Sequence, residues 1–294
     1  MAWSPVPYRF EAIGTQWQID LPDGLLASKR ENLEKLIADR IEVFDKHYSR
    51  FRSDSLVTEI SKKNGVYTLP SDAEPLFKIY EELYQLTKGL MTPLIGNTLS
   101  DAGYDATYSL QSKGLVSPEK WEDSLTRNGL ELEVRKPVLL DFGAAGKGYL
   151  IDIIAKIIQA EGIDSFCVDA GGDIAYYNSS NEKLKIGLEH PADTEKVIGV
   201  AEILNQSMCG SAGNRRQWGN FHHIINPKTL SSPRHLTSVW VVAQTTLLAD
   251  ALTTALFFLE PEVLMSHYQF EYLIINSDYS VSHSKNFPAE IFTI

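Results

Sequence analysis

The sequence predicts an α+β fold, with mixed or antiparallel sheets flanked by helices. Two observations predict it. Stretches of helical period crowd the first half of the chain and short β-branched runs crowd the second, so strands and helices do not alternate as βαβ units. No linker, low-complexity tract or repeat interrupts the 294 residues, so residues 1–294 read as a single domain.

Each element has its own signal. Residues 8–21 alternate polar and apolar side chains around Gly14-Thr15, which reads as one strand carrying a glycine where the backbone is closely approached. Pro22-Asp23-Gly24 is a turn. Ser28 opens a long amphipathic helix with Leu33, Leu36, Ile37, Ile41 and Phe44 on one face. A polar-aromatic loop, 47–55, leads into a short helix capped by Asp54-Ser55 and closed by Asn64-Gly65. Ser71 caps a second long helix through Leu86. Residues 89–103, rich in Thr, Pro, Gly and Asn, read as irregular.

Residues 138–143 read as a strand that ends in Gly143-Ala144-Ala145-Gly146-Lys147-Gly148. A helix follows, with Leu150, Ile151, Ile154, Ile157 and Ile158 as its apolar stripe. Residues 166–173 form a short strand running into a glycine turn, and further strands are expected at 184–189, 197–203, 238–243 and 272–275. Residues 246–259 read as an Ala/Leu-rich helix with Thr245 or Thr246 as its N-cap.

Composition narrows the function classes. The net charge of −11 argues against non-specific binding to nucleic acid or to an anionic membrane. No run of apolar residues is long enough to span a bilayer. The two cysteines, Cys167 and Cys209, form no CxxC pair, so there is no sign of a zinc site or a redox dithiol. The first residues, Met-Ala-Trp-Ser-Pro-Val-Pro, lack the basic-then-apolar pattern of a signal peptide, and a cytoplasmic location is the expectation.

Three places carry possible chemistry. Asp250 sits inside an otherwise uncharged apolar helix, one turn before Thr254, so carboxylate and hydroxyl share a face. Buried, such an acid needs a partner or a cation, and the pair suits a hard ion such as Mg²⁺. Facing water near a helix start, it needs neither. The glycine-rich turn with Lys147 reads either as an anion cradle or as a tight turn with a solvent lysine; it lacks the P-loop pattern. His222 and His223 are neighbours in a strand-like segment and so point to opposite faces, which prevents joint chelation.

In order, the pieces Gly14-Thr15; Ser49-Arg50-Phe51-Arg52-x-x-Ser55 with Ile60-Ser61-x-x-Asn64; Asp141-x-Gly143-x-x-Gly146-Lys147-Gly148-Tyr149-x-x-Asp152; Gly171-Gly172-Asp173; Ser211-Ala212-Gly213-Asn214; His223-Ile224-Ile225-Asn226-Pro227-x-Thr229; and Asp250-Ala251-x-x-Thr254 resemble the ApbE family of FAD:protein FMN transferases. The likeness covers nearly the whole chain and implies an ApbE-like fold. It also implies a reaction: with Mg²⁺ bound, the FMN part of FAD passes to a Thr or Ser hydroxyl of an acceptor flavoprotein, and AMP leaves. In this sequence it implies Asp250, Thr254 and a carbonyl at Gly146 as metal ligands, and His223 and Lys147 as catalytic groups. Phe51, Asp141, Gly171, Gly172, Ser211 and Gly213 are implied as flavin-site residues.

The chain departs from the family pattern at four positions. Gly146 stands where alanine is usual, Asn226 for aspartate, Ala212 for the serine of a threonine-serine-glycine run, and Leu230 for a glycine. Two alternatives stay open on sequence alone: Mg²⁺-dependent hydrolysis of FAD to FMN and AMP, and non-catalytic FAD binding.

Overall fold

The computed structural model describes residues 5–213 and 216–292. Residues 1–4, most of the stretch read for a leader, lie outside the described residues, as do Asn214 of the Ser-Ala-Gly-Asn motif, Arg215 and residues 293–294.

The chain opens with strands β1 (Pro5–Ala12) and β2 (Thr15–Pro22), which pair antiparallel. This corrects the single strand expected over 8–21. Ile13 and Gly14 take φ of 44° and 72°, the two-residue turn whose handedness matches strand twist, so the glycine reverses the chain instead of lying within a strand. Helix α1 (Ala27–Tyr48) buries Leu33, Ile37, Ile41 and Phe44 of the expected face, while Leu36 lies at its edge and is exposed. Short helix α2 (Leu56–Ile60) starts at Ser55, whose Oγ accepts the Thr58 N–H.

Strand β3 (Gly65–Thr68) precedes helix α3 (Ala73–Leu86). Ser71 is not its cap: the flanking residue is Asp72, whose carboxylate is drawn off to Arg40 and the Tyr48 hydroxyl. Residues 89–103 are more regular than their composition suggested. Pro93–Ile95 form a 3₁₀ turn that leads into helix α4 (Gly96–Asp101). Helix α5 (Trp121–Ser124) and strands β4 (Leu125–Asn128) and β5 (Glu131–Val134) follow, and β5 sits between β3 and β4 in a three-stranded sheet.

Residues 138–140 are extended and mostly buried but join no sheet, contrary to expectation. They lie against the 3₁₀ turn, where Asp141 N–H donates to Pro93 O at 2.7 Å, and they press on Gly96, where any Cβ would collide with Leu139. Their apolar character reflects burial, not strand pairing: Val138 and Leu140 enter the main core and Leu139 lies on Gly96.

Helix α6 (Gly146–Ala160) precedes strands β6 (Phe166–Ala170), β7 (Asp173–Tyr177), β8 (Leu184–His190), β9 (Asp193–Ile203) and β10 (Gln206–Ala212). Two-residue strands β11 (Gln217–Trp218) and β12 (Phe221–His222) form a small hairpin. Strand β13 (Leu236–Ala243) runs into helix α7 (Thr246–Ala255). Helix α8 (Pro261–Met265) and strands β14 (Glu271–Asn276), β15 (Val281–His283) and β16 (Ala289–Ile291) complete the chain.

The main sheet has eight strands in the order β1-β2-β6-β7-β10-β13-β14-β15, and its pairings are antiparallel. Both faces are covered, which is why its central strands read as continuous apolar runs instead of alternating ones. Val168, Ala175, Cys209, Val241 and Ile274 point to the helical side, into a core shared with α1, α3, α6 and α7. Their neighbours Cys167, Ile174, Met208, Val242 and Leu273 point the other way, into a second core under the sheet β16-β9-β8. Among the described residues no helix is long and apolar enough to cross a membrane.

Leu230 follows the turn at Asn226, whose carboxamide oxygen accepts the N–H groups of Lys228 and Thr229. It sits at φ 54°, a left-handed conformation that favours glycine. Relief of that strain makes Leu230→Gly stabilising by about 0.5–1 kcal/mol. Thermal melts check this; an unchanged or lower Tm contradicts it.

Candidate active site

A cavity of about 820 Å³ opens where the β1–β2 and β6–β7 hairpin tips, the start of α6, helix α7 and the segment 210–225 converge. That size is typical of pockets that bury a whole organic ligand. The two hairpin tips are packed together: Gly171 has φ 64°, and a Cβ there would strike the Thr15 hydroxyl.

The floor is built by helix contact. Gly148 lets α6 lie directly on α7, since an added Cβ would meet the Thr246 carbonyl and come within 2.6 Å of Asp250 Cβ. The Gly148 N–H then donates to Asp250 Oδ2 at 2.8 Å. The opposite bond comes from Asp152, whose two carboxylate oxygens accept the Thr246 and Leu247 N–H groups at 2.8 Å each, at the start of α7. Asp152 thus fixes the helix that carries Asp250.

Asp250 is 6 % exposed, so the solvent-facing reading of this acid is excluded. Burial is the main cause that pushes its carboxyl up to about 7, and repulsion from Asp173 adds to it, against the pull of Lys147 and the Gly148 N–H. Lys147 is also turned inward. It pairs with Asp173 and donates to Ala170 O at 2.9 Å. Burial alone would lower its ammonium, but the carboxylates of Asp173 and Asp250 outweigh that and the net shift is upward. Asp173 is buried too and accepts the Gly210 N–H at 3.2 Å. Were both acids ionised, two buried carboxylates would face one buried lysine, and that excess adds to burial in disfavouring the Asp250 charge.

The histidine pair divides its labour. His222 is buried and satisfied: its Nε2 lies 2.8 Å from Pro233 O, and its Nδ1 accepts the Ile224 N–H. His223 points to the cavity. Its Nδ1 is buried and has no partner among the described residues. Burial, with help from Arg216, His222 and Lys147, pushes its imidazolium down to about 3, so the ring is neutral with a free ring nitrogen.

An aromatic wall forms the mouth. Arg50, 6 % exposed, pairs with Asp141 and lies 4.2 Å from the Phe51 ring centroid and 5.0 Å from that of Tyr104. Asp141 also accepts the Gly143 N–H, at 2.8 Å, which shapes the turn before α6. Tyr104 stacks on Trp218, and Arg216 donates to the Tyr104 hydroxyl at 3.4 Å.

Of the residues singled out by sequence, Phe51, Asp141, Gly146, Lys147, Gly171, Ser211, His223, Asp250 and Thr254 line this one cavity. Gly172 and Gly213 do not line it. Gly172 is the second residue of the β6–β7 turn, with its N–H on Asp169 at 2.8 Å, and Gly213 packs near the His222 ring. Sequence reasoning gave no role to Arg50, Tyr104, Tyr108, Asp173, Arg216 or Trp218, which also line the cavity. Arg50 and Asp173 had a usable signal, each standing inside a quoted motif, Ser49-Arg50-Phe51-Arg52 and Gly171-Gly172-Asp173.

Mg²⁺ fits the floor. The carboxylate is buried, is held at one oxygen by a backbone N–H, and lies in a locally negative pocket, and Thr254 lies one turn further along α7. Among the described residues no three His, Cys, Asp or Glu side chains are grouped to hold a metal. Mg²⁺ does not require such a group, because it usually takes one or two carboxylates and fills its shell with water and phosphate oxygens. Gly146 starts α6 on the same wall. A Cβ there meets only Phe142 Cβ at 3.4 Å and Phe44 Cζ at 4.0 Å. Gly146→Ala is therefore expected to raise stability by about 0.4–1 kcal/mol through the lower conformational entropy of the unfolded chain, with activity retained; a lower Tm on melting contradicts it.

Comparison with known proteins places the chain in a family. Residues 13–273 match the model of the ApbE family. The FAD:protein FMN transferase of Escherichia coli is 25% identical over 276 residues, covering 86% of this chain and 78% of that protein. The one from Haemophilus influenzae is 24% identical over 298 residues, covering 91% and 86%. In structure, the chain is similar to the flavin transferase ApbE from Vibrio cholerae, with a TM-score of 0.80, 22% identity and 96% of each chain covered. The ApbE protein from Thermotoga maritima gives a TM-score of 0.82 at 21% identity, covering 98% of this chain and 100% of that one.

Proposed function

The chain belongs to the ApbE family, and from that premise we propose that it is an FAD:protein FMN transferase that uses Mg²⁺ and modifies a Thr or Ser hydroxyl of an acceptor flavoprotein. One observation carries the reading: a buried carboxylate, Asp250, held at the floor of a ligand-sized cavity with its ionisation disfavoured by burial and by Asp173. A protein that only stored FAD would have no use for that costly arrangement.

In this reading residues 1–294 act as one catalytic unit. Asp250 and Thr254, with a carbonyl at Gly146, hold the cation, which when bound neutralises charge on the diphosphate during transfer. Lys147, tethered by Asp173, supports the same phosphates with a fixed positive charge. Phe51 takes a face of the isoalloxazine. Asp141 and Gly171 shape its surroundings, with Gly172 keeping the hairpin turn in place. Ser211, hydrogen-bonded to Thr253 Oγ1 at 2.8 Å, braces the strand beside α7, and Gly213 packs beside His222. The acceptor hydroxyl oxygen bonds to the FMN phosphorus, the P–O bond to the AMP phosphate breaks, and the hydroxyl proton passes to the His223 imidazole, whose basicity the negative charge of a bound diphosphate raises.

Incubation with FAD, Mg²⁺ and candidate acceptor proteins, followed by intact mass, tests the proposal. Gain of one FMN by an acceptor, with AMP released, supports it. Free FMN and AMP with no adduct on any acceptor favour the hydrolase alternative instead.

A further inference from the structure

Tyr108 stands out because sequence gave it no role and because its position is built with some care. Its ring is parallel to that of Phe51, at 6° with centroids 5.3 Å apart, and it packs edge-on to Tyr104. It is 50 % exposed, yet it lines the cavity. Its hydroxyl reaches across the mouth to the β1–β2 tip, 3.5 Å from where a Gly14 Cβ would stand.

The backbone that presents it is tied at the base. Leu110 N–H donates to Gly103 O, and Lys113 N–H to Asp101 O, both at 2.8 Å. Within that loop the Asp105 carboxylate accepts the Thr107 and Ser109 N–H groups at 2.9 and 3.1 Å and both hydroxyls at 2.8 and 2.6 Å. This closed turn holds Tyr108 at φ 51° and Leu110 at φ 54°, conformations that non-glycine residues avoid without compensation. Phe51 is the fixed member of the pair, because Arg50 lies against it and is itself held by Asp141. Tyr108, half exposed, is the member with solvent on its outer side.

We propose that Tyr108, stacked on Phe51, is the outer plate of a two-sided aromatic clamp that closes over the isoalloxazine ring of FAD. The inference rests on the flavin reading above. A flat fused heteroaromatic ring inserts between two parallel rings with stacking on both faces, and Tyr108 moves outward by one ring thickness to admit it. The clamp grips only the flavin half of FAD, so its contribution is absent for an adenine nucleotide held at the metal floor.

Titration of wild-type, Tyr108→Ala and Tyr108→Phe proteins with FAD, FMN and ADP, each with Mg²⁺ present, tests this. Tyr108→Ala is expected to weaken FAD and FMN binding about tenfold, as loss of one base-sized stacking contact does, and to leave ADP binding unchanged. Tyr108→Phe is expected to bind all three like wild type. It should also give brighter bound flavin, because a phenol quenches flavin emission by electron transfer and a phenyl ring does not. Unchanged or tighter FAD binding in Tyr108→Ala overturns the proposal, and so does a parallel loss of ADP binding. Wild-type protein that binds ADP but neither flavin overturns the flavin reading itself and this proposal with it, an outcome distinct from a failure seen only in the variants.

Discussion

Asp250→Asn is expected to lower FMN transfer by at least about 10³-fold while leaving the empty protein as stable as wild type, or more so. The activity loss follows from removing a metal-binding carboxylate at a phosphoryl-transfer centre, where charge neutralisation is the main contribution to rate. The stability result follows from the floor itself. Asn keeps an oxygen for the Gly148 N–H and removes the repulsion between Asp250 and Asp173. Asp250→Ala instead leaves that buried N–H unpaired and costs about 1–3 kcal/mol.

The pH dependence fixes the sign. The folded carboxyl ionises near 7, well above the ordinary value of 3.8, so between those limits the folded protein binds more protons here than the unfolded chain. Stability from this group is full at low pH and is lost as pH rises through about 7. His223 works the other way: its folded value is depressed, so its contribution is lost as pH falls below about 6.5. The difference between wild type and Asp250→Asn isolates the first contribution. Melts in EDTA from pH 8 to pH 6 are expected to show wild type gaining stability on the variant. Cation binding needs the ionised carboxylate, so Mg²⁺ affinity is expected to fall up to about tenfold per pH unit below 7. Transfer that survives in Asp250→Asn, or Mg²⁺ affinity flat across this range, takes Asp250 out of the metal site.

What could be read from the chain, and what could not, follows from the range of the interactions. Ser55 capping α2 and the apolar stripe of α1 are local and were legible. The acid inside α7 was legible as an anomaly, but its burial was not, because that depends on Gly148 admitting α6 from 102 residues away. Residues 138–140 looked like a strand because burial and pairing select the same apolar side chains; only the core they enter, distant in sequence, decides which applies. The mouth was illegible for the same reason. Phe51, Tyr104, Tyr108 and Trp218 come from three separate segments, and none has a sequence neighbour that announces a stacking partner. Asp152 showed only as part of a family motif; its work, holding the first turn of α7, appears when the two helices are packed.

His223→Ala is expected to lower kcat for transfer by 10²–10⁴-fold, the usual contribution of a positioned general base, with the Kd for FAD within about threefold of wild type. The distinction matters because an apparent pKa near 7 in the rate profile would ordinarily be assigned to a histidine. Here the geometry assigns it otherwise. The His223 imidazole is held neutral, down to about 3, by burial and by the cations around it, so in the free enzyme it does not titrate between pH 5 and 8. Asp250, pushed up to about 7, does. At sub-saturating Mg²⁺ the ascending limb of kcat/KM therefore belongs to a carboxyl group and is expected to persist, at reduced rate, in His223→Ala. Temperature separates the two assignments, because carboxyl ionisation is nearly athermal and imidazolium ionisation is not. A limb that shifts markedly with temperature, or vanishes in His223→Ala, returns the titration to the histidine. A variant that loses only FAD affinity and keeps kcat reduces His223 to a binding residue.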